Sequence, residues 1–228
     1  DLHSFPTRRS SDLEPVIYDK LKLNAFVHSA QLEVPPKAGR LQITIEPGTR
    51  AARGGDESKD TLTASVQVPG LNSLQISNIA LDIVRDERNE PDQVVLINTS
   101  FSVPERELPP KVHVWLLPEK HPDAKLQAQF EQGREGQSYP WTESTFRPEV
   151  LTPQNELKLQ QIPGEQEHYE LHSLRYQAAP GRYLYIKIDA GLKSFGGYVL
   201  GDTVERLMQV PESGSRSEER RVGKECRS

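Results

Sequence analysis

The chain has 228 residues, a formal net charge of −5, a single cysteine and 35% hydrophobic residues. That length suits one large domain or two smaller ones, of roughly 100–150 residues each. The acidic balance argues against a nucleic-acid surface, whose electrostatic footprint is a basic face, and no apolar run approaches the ~18–20 residues of a helical membrane span.

The two ends stand apart from the rest. Asp1–Leu13 (DLHSFPTRRSSDL) and Arg216–Ser228 (RSEERRVGKECRS) read as in-frame translations of a sequencing adapter, one from each DNA strand. Ser10-Ser11-Asp12 can be encoded TCT-TCC-GAT. The reverse complement of that stretch, shifted by one base, encodes Ser217-Glu218. Such tags are excluded from fold and function reasoning. They hold the only cysteine, Cys226, and one of the histidines, His3. The segment between them, Glu14–Ser215, carries a net charge of −7 and no cysteine. It therefore has no disulfide framework, no thiolate metal site and no cysteine nucleophile. It reads as cut from a longer frame at both ends, and no signal peptide is visible in it.

Along the chain the dominant period is two, the mark of strands with one face on a core. Leu41, Ile43 and Ile45 alternate with Gln42, Thr44 and Glu46, and Val66 and Val68 with Ser65 and Gln67. Arg50–Asp60 between them is polar, Gly-rich and charged, and predicts an exposed hairpin loop. A domain boundary is expected near Pro69-Gly70. Beyond it Leu81 and Ile83 alternate with Ala80, Asp82 and Val84, and Val94–Ile97 predicts a more buried strand. Val112, Val114 and Leu116 alternate with His113, Trp115 and Leu117. His121–Gln154 breaks the rhythm. Ala124–Gln132 predicts one or two helical turns. Trp141–Val150 predicts a second short helix, with Thr142 as N-cap and Glu143 in the first turn. Alternation resumes at Leu157 and Leu159, and again at Leu184, Ile186 and Ile188. Pro-Gly and Pro-Pro pairs punctuate these segments, so the fold class expected is all-β, a sandwich of immunoglobulin type.

Motifs that carry chemistry are few. There is no Gly-x-Ser-x-Gly elbow, phosphate-binding glycine loop or zinc-binding histidine motif. Ser194-Phe195-Gly196-Gly197-Tyr198 predicts a bend between strands, with a glycine at positive φ. His168, Glu170 and His172 share one strand face and invite a metal, but strand neighbours on a face lie about 7 Å apart. The expected arrangement is a polar outer face with Tyr169 and Leu171 on the buried side. Asp86, Glu87, Glu90 and Asp92 predict a solvated acidic turn, without the spacing of a calcium loop. Asn98-Thr99-Ser100 is a formal glycosylation sequon. Tyr183, Tyr185, Tyr198 and Trp141 would bind sugar rings if exposed and coplanar. Otherwise they are cross-strand packing.

Pro180–Pro211 reads PGRYLYIKIDAGLKSFGGYVLGDTVERLMQVP. With its Gly-Arg-Tyr-Leu-Tyr strand, Phe-Gly-Gly-Tyr-Val-Leu hairpin and Val-Pro exit, this segment resembles the large bacterial alpha-2-macroglobulin family proteins. Further matching blocks lie upstream, in order: His28–Leu32, Gly39–Leu41, Pro47–Gly55, Val84–Arg88 and Glu90–Val94. The resemblance implies a non-catalytic scaffold piece from the N-terminal half of a protease-entrapping protein of the periplasm or cell envelope. Its partners would be neighbouring domains of the parent chain and, through the full-length protein, proteases. No nucleic acid, direct membrane insertion, cofactor, metal or catalytic residue is expected. The family's thioester motif, Cys-x-Glu-Gln, is absent here, so no trap chemistry carries over to any residue. The expected organisation is an adapter tag over 1–13, the C-terminal part of a truncated β domain over 14–70 and a macroglobulin-like β-sandwich over 71–211. A linker start over 212–215 and a second tag over 216–228 complete it. The alternative is a carbohydrate-binding β-sandwich module of a secreted protein.

Overall fold

The computed structural model describes residues 17–20, 24–26, 28, 33–50, 54–85, 90–131, 137–164 and 168–211. Both adapter-like ends and the 212–215 linker start therefore lie outside the described residues. The backbone divides into two compact units, Asp1–Ser73 and Leu74–Ser228.

In the first unit β1 (Ile17–Tyr18) pairs with β2 (Ala25–Phe26), and β3 (Gly39–Ile45) pairs with β4 (Leu62–Val68), both antiparallel. Leu41 faces Val66, Ile43 faces Ala64 and Ile45 faces Leu62. Because side chains alternate along a strand, these six apolar residues share one face of the hairpin. The charged stretch between β3 and β4 is the exposed loop that its composition predicts. Gly48 donates its N–H to the Ser58 carbonyl at 2.8 Å, and Ser58 donates to Thr49 at 2.9 Å. Arg50 meets Glu57 at 3.1 Å. Residues 51–53 of this loop lie outside the described part.

The second unit is an all-β, sandwich-like pair of antiparallel sheets. One sheet holds β5 (Ile76–Arg85), β6 (Pro91–Pro104), β8 (Gln160–Gln161) and β9 (His168–Tyr176), in the spatial order β5-β6-β9-β8. The other holds β7 (Val112–Leu116), β10 (Tyr183–Ile188) and β11 (Val204–Gln209), in the order β11-β10-β7. Val95, Ile97, Leu174 and Tyr176 from the first sheet bury against Val114, Leu184, Ile186 and Ile188 from the second. The alternation at 184, 186 and 188 is thus a true core face.

The opposite face of the second sheet is also covered. Trp115, Tyr183, Tyr185 and Leu207 point away from the main core into a second cluster with Leu117, Tyr139, Trp141 and Val150. Those covering residues belong to the excursion 117–151, which includes the one described α-helix, α1 (Ala124–Glu131). Phe146 stacks on Tyr185 with ring centroids 4.3 Å apart and planes 9° apart. Trp141 Nε1 donates to the Pro118 carbonyl at 2.9 Å. Two anchors tie down the start of the excursion: Arg182 Nη2 donates to the Leu117 carbonyl at 2.7 Å, and Nη1 pairs with Glu119 at 2.8 Å. Arg182 is itself set by the turn Ala179-Pro180-Gly181-Arg182, where Gly181 has φ +76°. Proline then glycine at the central positions is the composition of a type II turn.

Three expectations need correction. Trp141–Val150 does not form an α-helix. The Thr142 carbonyl accepts N–H groups from Thr145 and Phe146, making a single turn. Arg147 is then extended at φ −132° and ψ 125°, as the residue before a proline prefers, and Pro148–Val150 is a short 3₁₀ turn. Leu157–Gln160 is not one continuous strand. Glu156 bridges to Trp115 on β7, and the chain then crosses to the other sheet as β8, where Gln160 faces Arg175. On β9 the buried parity is opposite to that expected. Leu174 and Tyr176 fill the core, and period two carries His172 inward with them, while Leu171 is 51% exposed. The register of β6 on β9 shifts between Asn98 and Val103, and such an irregularity re-aims the side chains beyond it.

Candidate functional site

A cluster of polar side chains in the second unit is built by strand register. His113 lies on the outward face of β7, directly opposite Lys187 on β10. Asp189 follows the end of β10, held by its N–H to the Lys111 carbonyl at 2.9 Å. Glu156 reaches the same place through its bridge to Trp115. His113 Nδ1 lies 2.7 Å from Glu156 Oε1, and Nε2 lies 3.5 Å from Asp189 Oδ2. Lys187 Nζ lies 3.0 Å from Asp189 Oδ1. Trp115 stacks beside the imidazole at 5.6 Å. The group borders a cleft of about 190 Å³ whose apolar floor includes Leu157, Leu159 and Leu174.

A carboxylate-held imidazole is the equipment of a general base. A triad, however, needs one ring nitrogen on the nucleophile and the other on the carboxylate. In this cluster Nδ1 is held by Glu156 and Nε2 faces a second carboxylate, Asp189, and not a hydroxyl. Among the described residues no group of three or more His, Cys, Asp or Glu side chains is arranged to hold a metal ion. The arrangement is a set of polar contacts that joins β7, the 155–157 stretch and the end of β10. Sequence reading missed it because its members are distant in the chain, and no local spacing signals the contact.

His121 and His172 are also built into packing. His121 is buried between Tyr139 and Trp141, at centroid distances of 4.8 and 4.9 Å. Its Nδ1 accepts the Asp123 N–H at 3.0 Å, so Nε2 carries the proton donated to the Thr145 carbonyl, also at 3.0 Å. The Asp123 carboxyl is held below its usual range, chiefly by the Lys125 N–H that it accepts. His172 is 3% exposed. Burial holds its imidazole below the ordinary histidine range, against an opposing hydrogen bond with the Tyr169 backbone and the nearby Glu105 charge. Glu170 is exposed whereas His172 is buried, so these two side chains do not share one face, and the side chain of His168 lies outside the described part. Burial alone pushes the Tyr176 phenol up to about 12.

No sugar-binding platform is present among the residues expected to form one. Trp141 and Tyr185 are buried at 3% and 7% exposure, Tyr183 is half-buried in the same aromatic cluster, and Tyr198 stacks on Phe101 at 4.4 Å. This removes the requirement on which the carbohydrate-binding alternative stood. The Ser194–Tyr198 bend is as expected: Ser194 N–H donates to the Tyr198 carbonyl at 2.8 Å, and Gly197 has φ +85°. Ser194 is buried and its Oγ accepts the Tyr198 N–H at 2.9 Å, which is a turn-closing role. Thr99 of the sequon is buried within β6 and donates to the Phe101 carbonyl at 2.7 Å, so the motif sits in a sheet and not in a loop. Of the acidic turn, Asp86 and Glu87 lie outside the described residues, and Asp92 pairs with Arg175 at 2.5 Å.

Among curated proteins the chain is similar to the alpha-2-macroglobulin homolog of Yersinia pestis, at 29% identity over 197 residues. These cover 86% of this chain and 10% of that protein. It is 25% identical to the alpha-2-macroglobulin of Pasteurella multocida over 199 residues, again 86% of this chain and 10% of that protein. The alpha-2-macroglobulin of Rickettsia conorii is 22% identical over 201 residues, 79% of this chain and 10% of that protein. The chain thus spans about a tenth of the length of the curated relatives it matches. No protein-family model and no solved structure matches it.

Proposed function

We propose that this chain, a segment of an alpha-2-macroglobulin family protein, is a non-catalytic β-sandwich scaffold. It would hold other parts of a large protease-entrapping protein of the bacterial cell envelope in position. One observation supports the reading: among the described residues of the second unit, His113, His121 and Ser194 are taken up by packing and polar contacts. His113 is fixed between two carboxylates, His121 between two rings and two backbone groups, and Ser194 in its own turn. A β-sandwich by itself is compatible with many functions, so the specific role rests on the family resemblance. Residues 14–70 would be the end of one β domain and 71–211 a macroglobulin-like domain. The partners would be neighbouring domains of the same polypeptide and, through the assembled protein, proteases. A periplasmic or envelope location fits this role. No described helix is long and apolar enough to cross a membrane.

The test is protease capture by the full-length protein, scored beside the thermal stability of the second unit. H113Q and E156Q should leave capture unchanged, whereas I186A, at the centre of the core, should lower capture in step with the melting temperature. Loss of capture in H113Q or E156Q at unchanged melting temperature would give the cluster a direct role and refute the scaffold reading.

A further inference from the structure

His172 is 3% exposed, and its Nε2 has no hydrogen-bond partner among the described residues. Buried polar atoms are normally satisfied. The hydrogen bond between the His172 ring and the Tyr169 backbone favours the protonated ring, so the ring donates it. With Nε2 unpartnered, the donor is Nδ1. Nε2 of the neutral imidazole is therefore an open acceptor. His172 lines a cleft of about 120 Å³ between β9 and the 161–164 stretch. Glu105, half-buried in the turn after β6, lines it too, and its charge acts on the His172 ring. Glu105 Oε1 accepts the Gly164 N–H at 2.6 Å. A Cβ on Gly164 would overlap the Tyr169 ring, so this glycine lets that ring stand as a wall of the cleft. Leu171, 51% exposed, is a further wall. No lysine or arginine is among the described residues that line it.

We propose that this cleft is a binding site for a primary ammonium group, the head of a lysine side chain presented by another protein segment. Nε2 of His172 and the Glu105 carboxylate only accept hydrogen bonds, and the carboxylate is a charge that no cation lining the cleft balances. A cationic donor answers both. The volume is well below the roughly 300 Å³ at which pockets for whole small molecules begin, and it suits the end of one side chain. A guanidinium fork needs both oxygens of a carboxylate, and Oε1 of Glu105 already holds Gly164. A compact ammonium needs only one. The Tyr169 ring is an aromatic wall of the kind that attracts cations. Leu171 offers the methylene stem of a lysine an apolar surface at the mouth of the cleft, a use for an otherwise exposed leucine on β9. A free small amine has the same headgroup chemistry, and the two sources differ in what else the site must accept.

The test is titration of the 228-residue chain with Nα-acetyl-lysine methylamide at about pH 8, where the ammonium is charged and the imidazole neutral. The readout is the pair of His172 ring-nitrogen shifts in long-range proton–nitrogen spectra. Nε2 should move saturably as its lone pair gains a donor, while Nδ1 stays on the Tyr169 carbonyl. E105Q keeps an oxygen for Gly164 and removes the charge. It should weaken binding about tenfold, the effect of losing a hydrogen bond to a charged group. G164A, which pushes the Tyr169 ring aside, should weaken it as well. Acetylating the ligand's ammonium should abolish the shift. Binding of n-butylammonium without binding of the lysine compound would assign the site to a free amine and overturn the lysine assignment. No saturable shift with either amine, or equal affinity in E105Q, overturns the site itself.

Discussion

Tyr185→Ala tests whether the outer face of the β11-β10-β7 sheet is packed. Tyr185 is 7% exposed, stacked on Phe146 at 4.3 Å and tilted against Trp115 at 6.1 Å. Its phenol is raised above the ordinary tyrosine range, first by burial and then by a hydrogen bond and repulsion from Glu205. Truncating a large buried aromatic costs about 4 kcal/mol, within the usual ~3–5 for such a deletion. With a urea m-value of about 2 kcal/mol per molar, the unfolding midpoint should fall by about 2 M. Tyr185→Phe keeps the ring and removes only the hydroxyl, so it should lose about 1 kcal/mol. The chain has only two tryptophans, and both Trp115 and Trp141 lie in this aromatic cluster. Their emission therefore follows the face under test. A midpoint shift for Tyr185→Ala below about 0.5 M, a quarter of that expected from the m-value, would refute the packing and reopen the face as a binding platform.

Two further outcomes follow from single residues. His172 has its proton affinity depressed in the folded state, so between the folded value and the ordinary value of about 6.5 the unfolded chain binds more protons. Stability present above about pH 6.5 is lost as pH falls toward the folded value, and changes no further on this account below it. His172→Gln should flatten that part of the melting-temperature profile, and an unchanged slope in the variant would sink the assignment. Gly197, at φ +85°, should lose about 1–2 kcal/mol on substitution by valine, which is strained in that region. Gly196 is at no such angle, and a Cβ there would lie 3.4 Å from the Tyr198 ring, so Gly196→Ala should melt closer to the parent. The reverse order of melting temperatures would contradict the turn assignment.

Period-two alternation was enough to place the core at Leu184, Ile186 and Ile188, because both sheets bury a single parity there. It failed at β9, where the apolar Leu171 was read as inside and His172 as outside. Parity is set by what the strand faces, and the nearby register shift is a property of the pair β6–β9, not of the sequence HYELH. It also failed over Trp141–Val150. Local propensity allowed a helix, but Phe146 is drawn out to stack on Tyr185, and Pro148 forces Arg147 to be extended. The His113 cluster was invisible for a simpler reason: His113 and Glu156 are 43 positions apart, and only the folded register makes them neighbours. The family resemblance was legible in strand and turn words along the chain, and it agrees with the relatives that match.

The stretch from Glu156 to Gln161 bears on how the sheets of the second unit meet a neighbouring copy. It bridges the outer side of β7 and then lies beside β9, so one stretch of chain ties the two sheets of the second unit together along one flank. The remaining flank is the one where β5 and β11 pack against each other. Fibre growth by edge addition needs every incoming molecule to offer a free edge on its far side. Short edge strands are one way natural sheets blunt such pairing, and β8, at two residues, gives an incoming strand little to pair with.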